Sequence, residues 1–155
     1  MDRENERMIP DERLEEVVGG TGLSVGAYIW PVPSFRNVIV YFGERTDGGL
    51  SGGIEIGGGG ISGAAVVAAD GGTVDPLWYG SGGWGGGYGT YCVINHDGGR
   101  STVYAHLSAI NVRAGEEVSQ GQVIGYVGAT GDTTHPCLYF ETRLNGVRYD
   151  PLSEY

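Results

Sequence analysis

A chain of 155 residues that is 40% hydrophobic is long enough for one domain with a buried core. Its formal net charge of -10, from 19 acidic against 9 basic residues, argues against nucleic-acid binding, which needs clustered cations to meet phosphates. All 9 basic residues are arginines, and no apolar run approaches the roughly 20 residues that span a bilayer.

The N-terminal stretch "MDRENERMIPDER" is polar and does not read as a signal peptide, so if the protein is exported its signal or anchor is expected outside this chain. Within residues 1–20, a charged segment, "PDERLEEVVGG" predicts a short helix. Pro10 and two acids open it, Leu14, Val17 and Val18 form a narrow apolar stripe, and Gly19 and Gly20 stop it.

Beyond Gly20 the pattern changes to short apolar runs separated by glycine, and 31 glycines leave little room for further helix. Strands are predicted over 37–43, 52–56, 64–70, 89–96, 101–107, 122–128 and 137–143, with turn signals at Gly71-Gly72, Asp97-Gly98-Gly99 and Asn145-Gly146. The fold class that follows is all-β and mostly antiparallel. The glycine tracts at 47–63 and 79–90 lack a following helix, so they read as groove-edge loops and not as phosphate-binding loops, with Trp78, Trp84 and Tyr88 as contact residues.

In the hairpin around Asp97–Arg100, pairing in which position numbers sum to 197 sets Cys92 opposite Ala105 and Tyr91 opposite His106. Cys92 and Cys137 then face different sides of the sheet and do not pair. His96 is expected to close the strand end through a hydrogen bond. In "HPCLYFETR", side-chain alternation puts His135, Cys137 and Tyr139 on one face and sends Leu138 and Phe140 into a core.

The stretches "VVAADGGTV", "YAHLSAINVRAGEEVSQGQVIGYVGATGD" and "LYFETRLNGVRYDPLSEY" together resemble the lysostaphin-type (LytM-like) zinc endopeptidases that cleave peptide cross-links in bacterial peptidoglycan. The likeness runs from about Tyr28 to Tyr155, giving residues 21–155 as a LytM-like peptidase-fold domain. It implies an antiparallel β-sheet groove of the duplicated hybrid motif type, an extracytoplasmic or cell-envelope location, and a peptidoglycan peptide or an envelope protein as partner. Part of the same sequence also resembles biotinyl and lipoyl carrier hairpins, but those carry their cofactor on a lysine, which this chain lacks.

Carried over residue by residue, the family's first zinc motif falls on "SGGIE", so Ser51 and Glu55 stand where a ligand histidine and a ligand aspartate are usual. The "YAHL" motif is intact and keeps His106 as the family's catalytic histidine. In "PCLYFE", Cys137 replaces a second catalytic histidine and Tyr139 replaces the third zinc ligand. A neutral serine and a phenol titrating near 10 are poor zinc ligands. The resemblance therefore implies a pseudoenzyme that keeps its groove for binding, with Tyr88, Tyr104 and His135 as groove contacts and no zinc cofactor. Two other readings stay open: a remodelled zinc centre using His135, Cys137, Glu55 and His106, and a thiol centre pairing Cys137 with His106.

Overall fold

A computed structural model describes residues 28–80 and 87–155. The helix predicted over 10–20 and the contact residue Trp84 lie outside them, as does the side chain of Trp78.

Twelve strands make up the described chain: β1 (Val38–Val40), β2 (Arg45–Thr46), β3 (Gly49–Leu50), β4 (Ile54–Ile56), β5 (Ala65–Val67), β6 (Gly72–Gly80), β7 (Thr90–Asn95), β8 (Arg100–Ile110), β9 (Glu117–Val118), β10 (Val123–Val127), β11 (Leu138–Leu144) and β12 (Val147–Tyr149). All pairings are antiparallel, as the apolar runs and tight turns predict. The main sheet runs β1-β4-β11-β8-β7-β6-β9, with β12 on β11, and β10 joining β5 to β8. β2 and β3 form a separate hairpin. No helix among the described residues is long and apolar enough to cross a membrane.

Strict alternation divides the central strands between two faces. Ile54, Ile56, Cys92, Ile94, Tyr104, Leu138 and Phe140 point to the main core, and all are fully buried. Glu55, Tyr91, Val93, Val103, Ala105 and Tyr139 lie on the opposite face, where a smaller apolar cluster supports the groove floor. Fully burying a side chain such as Ile or Phe contributes roughly 1.5–3 kcal/mol, so the first face holds the fold together. Gly53 in "SGGIE" is needed because a Cβ there would run into the carbonyl oxygen of Phe140 on the neighbouring strand.

Three expectations are corrected. The β7–β8 register sums to 196, with Cys92 opposite Tyr104 and Val93 opposite Val103, because the turn holds three residues closed by the His96 N–H to Arg100 carbonyl bond. Cys92 nevertheless lies in the main core, and both cysteines are free. Tyr104 is not a groove residue: it is fully buried, its hydroxyl accepts from the Ala69 amide at 2.9 Å, and Thr102 donates to it at 2.7 Å. Finally, His135 and Cys137 are not part of a strand row, since β11 begins at Leu138 and Cys137 makes only an isolated bridge to Gly128.

A bulge separates His106 from Tyr104. Cys92 pairs with Tyr104 but Thr90 pairs with Leu107, so Ala105 and His106 together face the single residue Tyr91. His106 adopts φ 66°, in the left-handed region that a non-glycine residue seldom enters. The bulge turns the imidazole to the groove side and returns Leu107 to the core. His96 closes its strand end as expected, with Nδ1 2.7 Å from the Gly71 carbonyl and Nε2 2.9 Å from the Thr102 hydroxyl.

Candidate functional site

The groove encloses about 490 Å³ above the face that carries Glu55 and Tyr139. Its floor comes from β4, β11 and β8, where Tyr139 sits between Glu55 on one side and Ala105 on the other. Its walls come from the β2–β3 hairpin with Ser51, from residues 87–88, and from the loop Asp132–His135. Ser51, Glu55, Tyr88, His106, His135 and Tyr139 all line it.

At one end His106 is held by its backbone bulge and by its ring. Nδ1 lies 2.8 Å from the carbonyl oxygen of Thr130, an acceptor only, so Nδ1 carries the proton and Nε2 is the basic nitrogen. Burial lowers the His106 pKa below its usual value, against a smaller opposing effect of Glu55, and favours the neutral ring. Two loops brace this end. Gly89 and Gly131 both have positive φ and pass so close that a Cβ on Gly89 would lie 2.5 Å from the carbonyl carbon of Thr130, and one on Gly131 2.6 Å from the oxygen of Gly87. The Asp132 amide donates to that same Gly87 oxygen at 2.9 Å.

At the other end the polar atoms are bound among themselves. Ser51 donates to the Gly53 carbonyl at 2.8 Å. Tyr139 donates to Glu141 Oε1 at 2.6 Å, and Tyr88 donates to the same oxygen at 2.8 Å. Arg143 pairs with Glu141 Oε2, Arg148 lies 3.3 Å from Oε1, and Arg143 also donates to the Tyr88 hydroxyl at 3.2 Å. Glu141 is fully buried under this lattice. Burial, reinforced by the charge of Glu141, raises the Tyr88 phenol to about 12 and pushes Tyr139 up further.

Glu141, Arg143 and Arg148 were not singled out from the sequence. The available signal is the spacing: Glu141 and Arg143 are two apart on β11 and share a face, and Arg148 is the partner of Arg143 on β12.

Cys137 donates from Sγ toward Glu55 Oε1 at 3.7 Å and lies 3.6 Å from the Thr133 hydroxyl. His135 Nε2 is 3.9 Å from the same Glu55 oxygen. Burial pushes the Cys137 thiol up to about 12, against the thiolate that nucleophilic catalysis requires. The structure thus brings His135, Cys137 and Glu55 together, while the hydrogen bonds of the His106 ring and of the Tyr139 hydroxyl go to Thr130 and Glu141.

The chain belongs to peptidase family M23, whose model matches residues 50–151. It is 38% identical over 143 residues to "Lipoprotein NlpD/LppB homolog" of Pseudomonas aeruginosa, covering 92% of this chain and 44% of that protein. It is 32% identical over 152 residues to "Murein hydrolase activator EnvC" of Escherichia coli, covering 91% of this chain and 32% of that one. The catalytic domain of the prophage-encoded M23 protein EnpA from Enterococcus faecalis superposes with a TM-score of 0.67 at 28% identity, covering 83% of this chain and 96% of that domain. The chain spans less than half the length of these curated relatives.

The residues at the three positions that the resemblance gives to zinc do not fit the ion. Ser51 spends its hydroxyl hydrogen on Gly53, and the Tyr139 phenol is held protonated against Glu141. A catalytic zinc needs three protein ligands and an open position, and here Glu55 is the one ligand of ordinary type.

Proposed function

We propose that this chain is a catalytically degenerate M23 domain that serves the bacterial cell envelope as a binding or regulatory module, its groove taking a peptidoglycan peptide or a segment of an envelope protein. The observation that carries this reading is the internal bonding of Ser51 and Tyr139, which removes two of three donors from the metal positions of the family. Without a metal there, no group polarises a scissile carbonyl or lowers the pKa of water, and His106 alone offers only proton transfer. In this reading His106 is the retained family histidine, Cys137 stands in for the other, and Tyr88 and His135 form the walls that contact the bound peptide.

The relative named a murein hydrolase activator supports it. The test is to incubate the purified chain, supplied with zinc, with purified peptidoglycan and analyse both the pellet and the released fragments. Binding without new fragments is expected, weakened about tenfold by the double change Tyr88→Ala and His106→Ala. Release of fragments cut at peptide cross-links overturns the reading.

A further inference from the structure

Glu55, the one ordinary ligand among the family's metal positions, also has two ligand-type side chains close to it, His135 and Cys137. Glu55 rises from β4, Cys137 stands at the entry to β11, and His135 comes from the preceding loop. One donor atom from each lies within 4.8 Å of the other two. Sγ of Cys137 and Nε2 of His135 lie 3.7 Å and 3.9 Å from Glu55 Oε1. Tetrahedral bonds of about 2.0–2.3 Å place ligand atoms roughly 3.3–3.6 Å apart, so the two spacings to Glu55 need to close by only a few tenths of an ångström.

We propose that Glu55, at a metal position of the family, forms a divalent-metal site of the zinc type with two new partners, His135 from a loop and Cys137.

The surrounding contacts orient these groups. The Thr134 hydroxyl lies 3.2 Å from His135 Nδ1, which leaves Nε2 on the Glu55 side. Thr133 donates to the His135 carbonyl at 3.1 Å and lies 3.6 Å from Cys137 Sγ, joining both ligands in one short turn. Outer contacts of this kind fix ligand direction and affinity. A way in exists, because the His135 side chain is 47% exposed on the groove. The thiol loses its proton on binding: Cys137–SH and the dication give the metal thiolate and one proton released to solvent. Sulfur and imidazole donors select zinc, cobalt or cadmium over magnesium and calcium.

The site shares the groove with the binding function proposed above and stands independently of it. The experiment is a cobalt(II) titration of the reduced full chain followed by optical absorption. One equivalent should bind and give a thiolate-to-metal charge-transfer band. Cys137→Ser should abolish the band, and His135→Ala, a change in a half-exposed loop that leaves the core intact, should weaken binding by about tenfold or more. Ser51→Ala and Tyr139→Phe should leave it unchanged, with thermal melts verifying that each variant is folded. No band, or a band that survives Cys137→Ser, overturns the site. Cleavage of peptidoglycan by the loaded chain would end the non-hydrolytic reading with the metal site intact, whereas peptidoglycan binding by a chain that shows no band would do the reverse.

Discussion

The two ends of the groove floor are built on neighbouring strands, yet they hold their polar atoms in opposite ways. At the His106 end, a strained backbone and the Thr130 carbonyl consume one ring nitrogen and leave the other basic. At the Tyr139 end, two phenols and two arginines converge on one fully buried carboxylate. The first arrangement stores local strain to present a group, as functional sites often do. The second satisfies every polar atom it can, as structural networks do. One strand face can thus hold a strained, presented imidazole and a fully bonded polar network within a few residues.

The largest effect that would break this comparison is on stability. Glu141→Ala strands two arginines and two phenols around an empty position and should cost about 3–5 kcal/mol, read as a fall in the urea midpoint. Ser51→Ala should cost less than about 1 kcal/mol, because its bond is local and half-exposed. Equal costs would mean that Glu141 does not organise its end.

A smaller effect should follow from reversing the filled end. The fourfold change Ser51→His, Glu55→Asp, Cys137→His and Tyr139→His is expected to rebuild the three ligand positions of the family beside His106. Zinc at a hundredfold excess over its dissociation constant should then stabilise the variant by about 2.7 kcal/mol, measured as a rise in melting temperature. A folded variant that takes up no zinc would show the four positions to be wrongly assigned.

The smallest effect concerns the strained end. At φ 66° a glycine is at ease and an alanine is not, so His106→Gly should be more stable than His106→Ala by about 1 kcal/mol, although both lose the bond to Thr130. The opposite order in thermal melts would remove the strain from the account.

Much of the fold was legible because apolar runs such as "TYCVIN" and "LYFETRL" mark central strands by alternation alone. β6 was not predicted, because Gly71-Gly72 reads as a turn; the strand starts within that pair and absorbs the Asp75-Pro76 step in an irregularity between Val74 and Tyr79. The register slipped by one because residue types alone did not settle whether Arg100 belongs to the turn or to the strand. Tyr104 was placed in the groove as an aromatic residue beside His106, but the bulge at Ala105–His106 leaves it on the core face. The family likeness located Ser51, Glu55, His106, Cys137 and Tyr139. The destination of the Tyr139 hydroxyl was not legible, since alternation names a face and not a partner.

The crossing of Gly89 and Gly131 sets a rule for how this domain can change over time. Side chains on the floor are exchangeable where local hydrogen bonds, such as that of Ser51 to Gly53, can absorb the change. The two glycines have no such freedom: with backbone against backbone, a single methyl group on either would force the loops apart and carry off the Thr130 carbonyl that holds the imidazole. In a saturation library selected for folding alone, these two positions should therefore stay glycine while Ser51 drifts, making the crossing a more durable mark of the fold than the side chains of the groove floor.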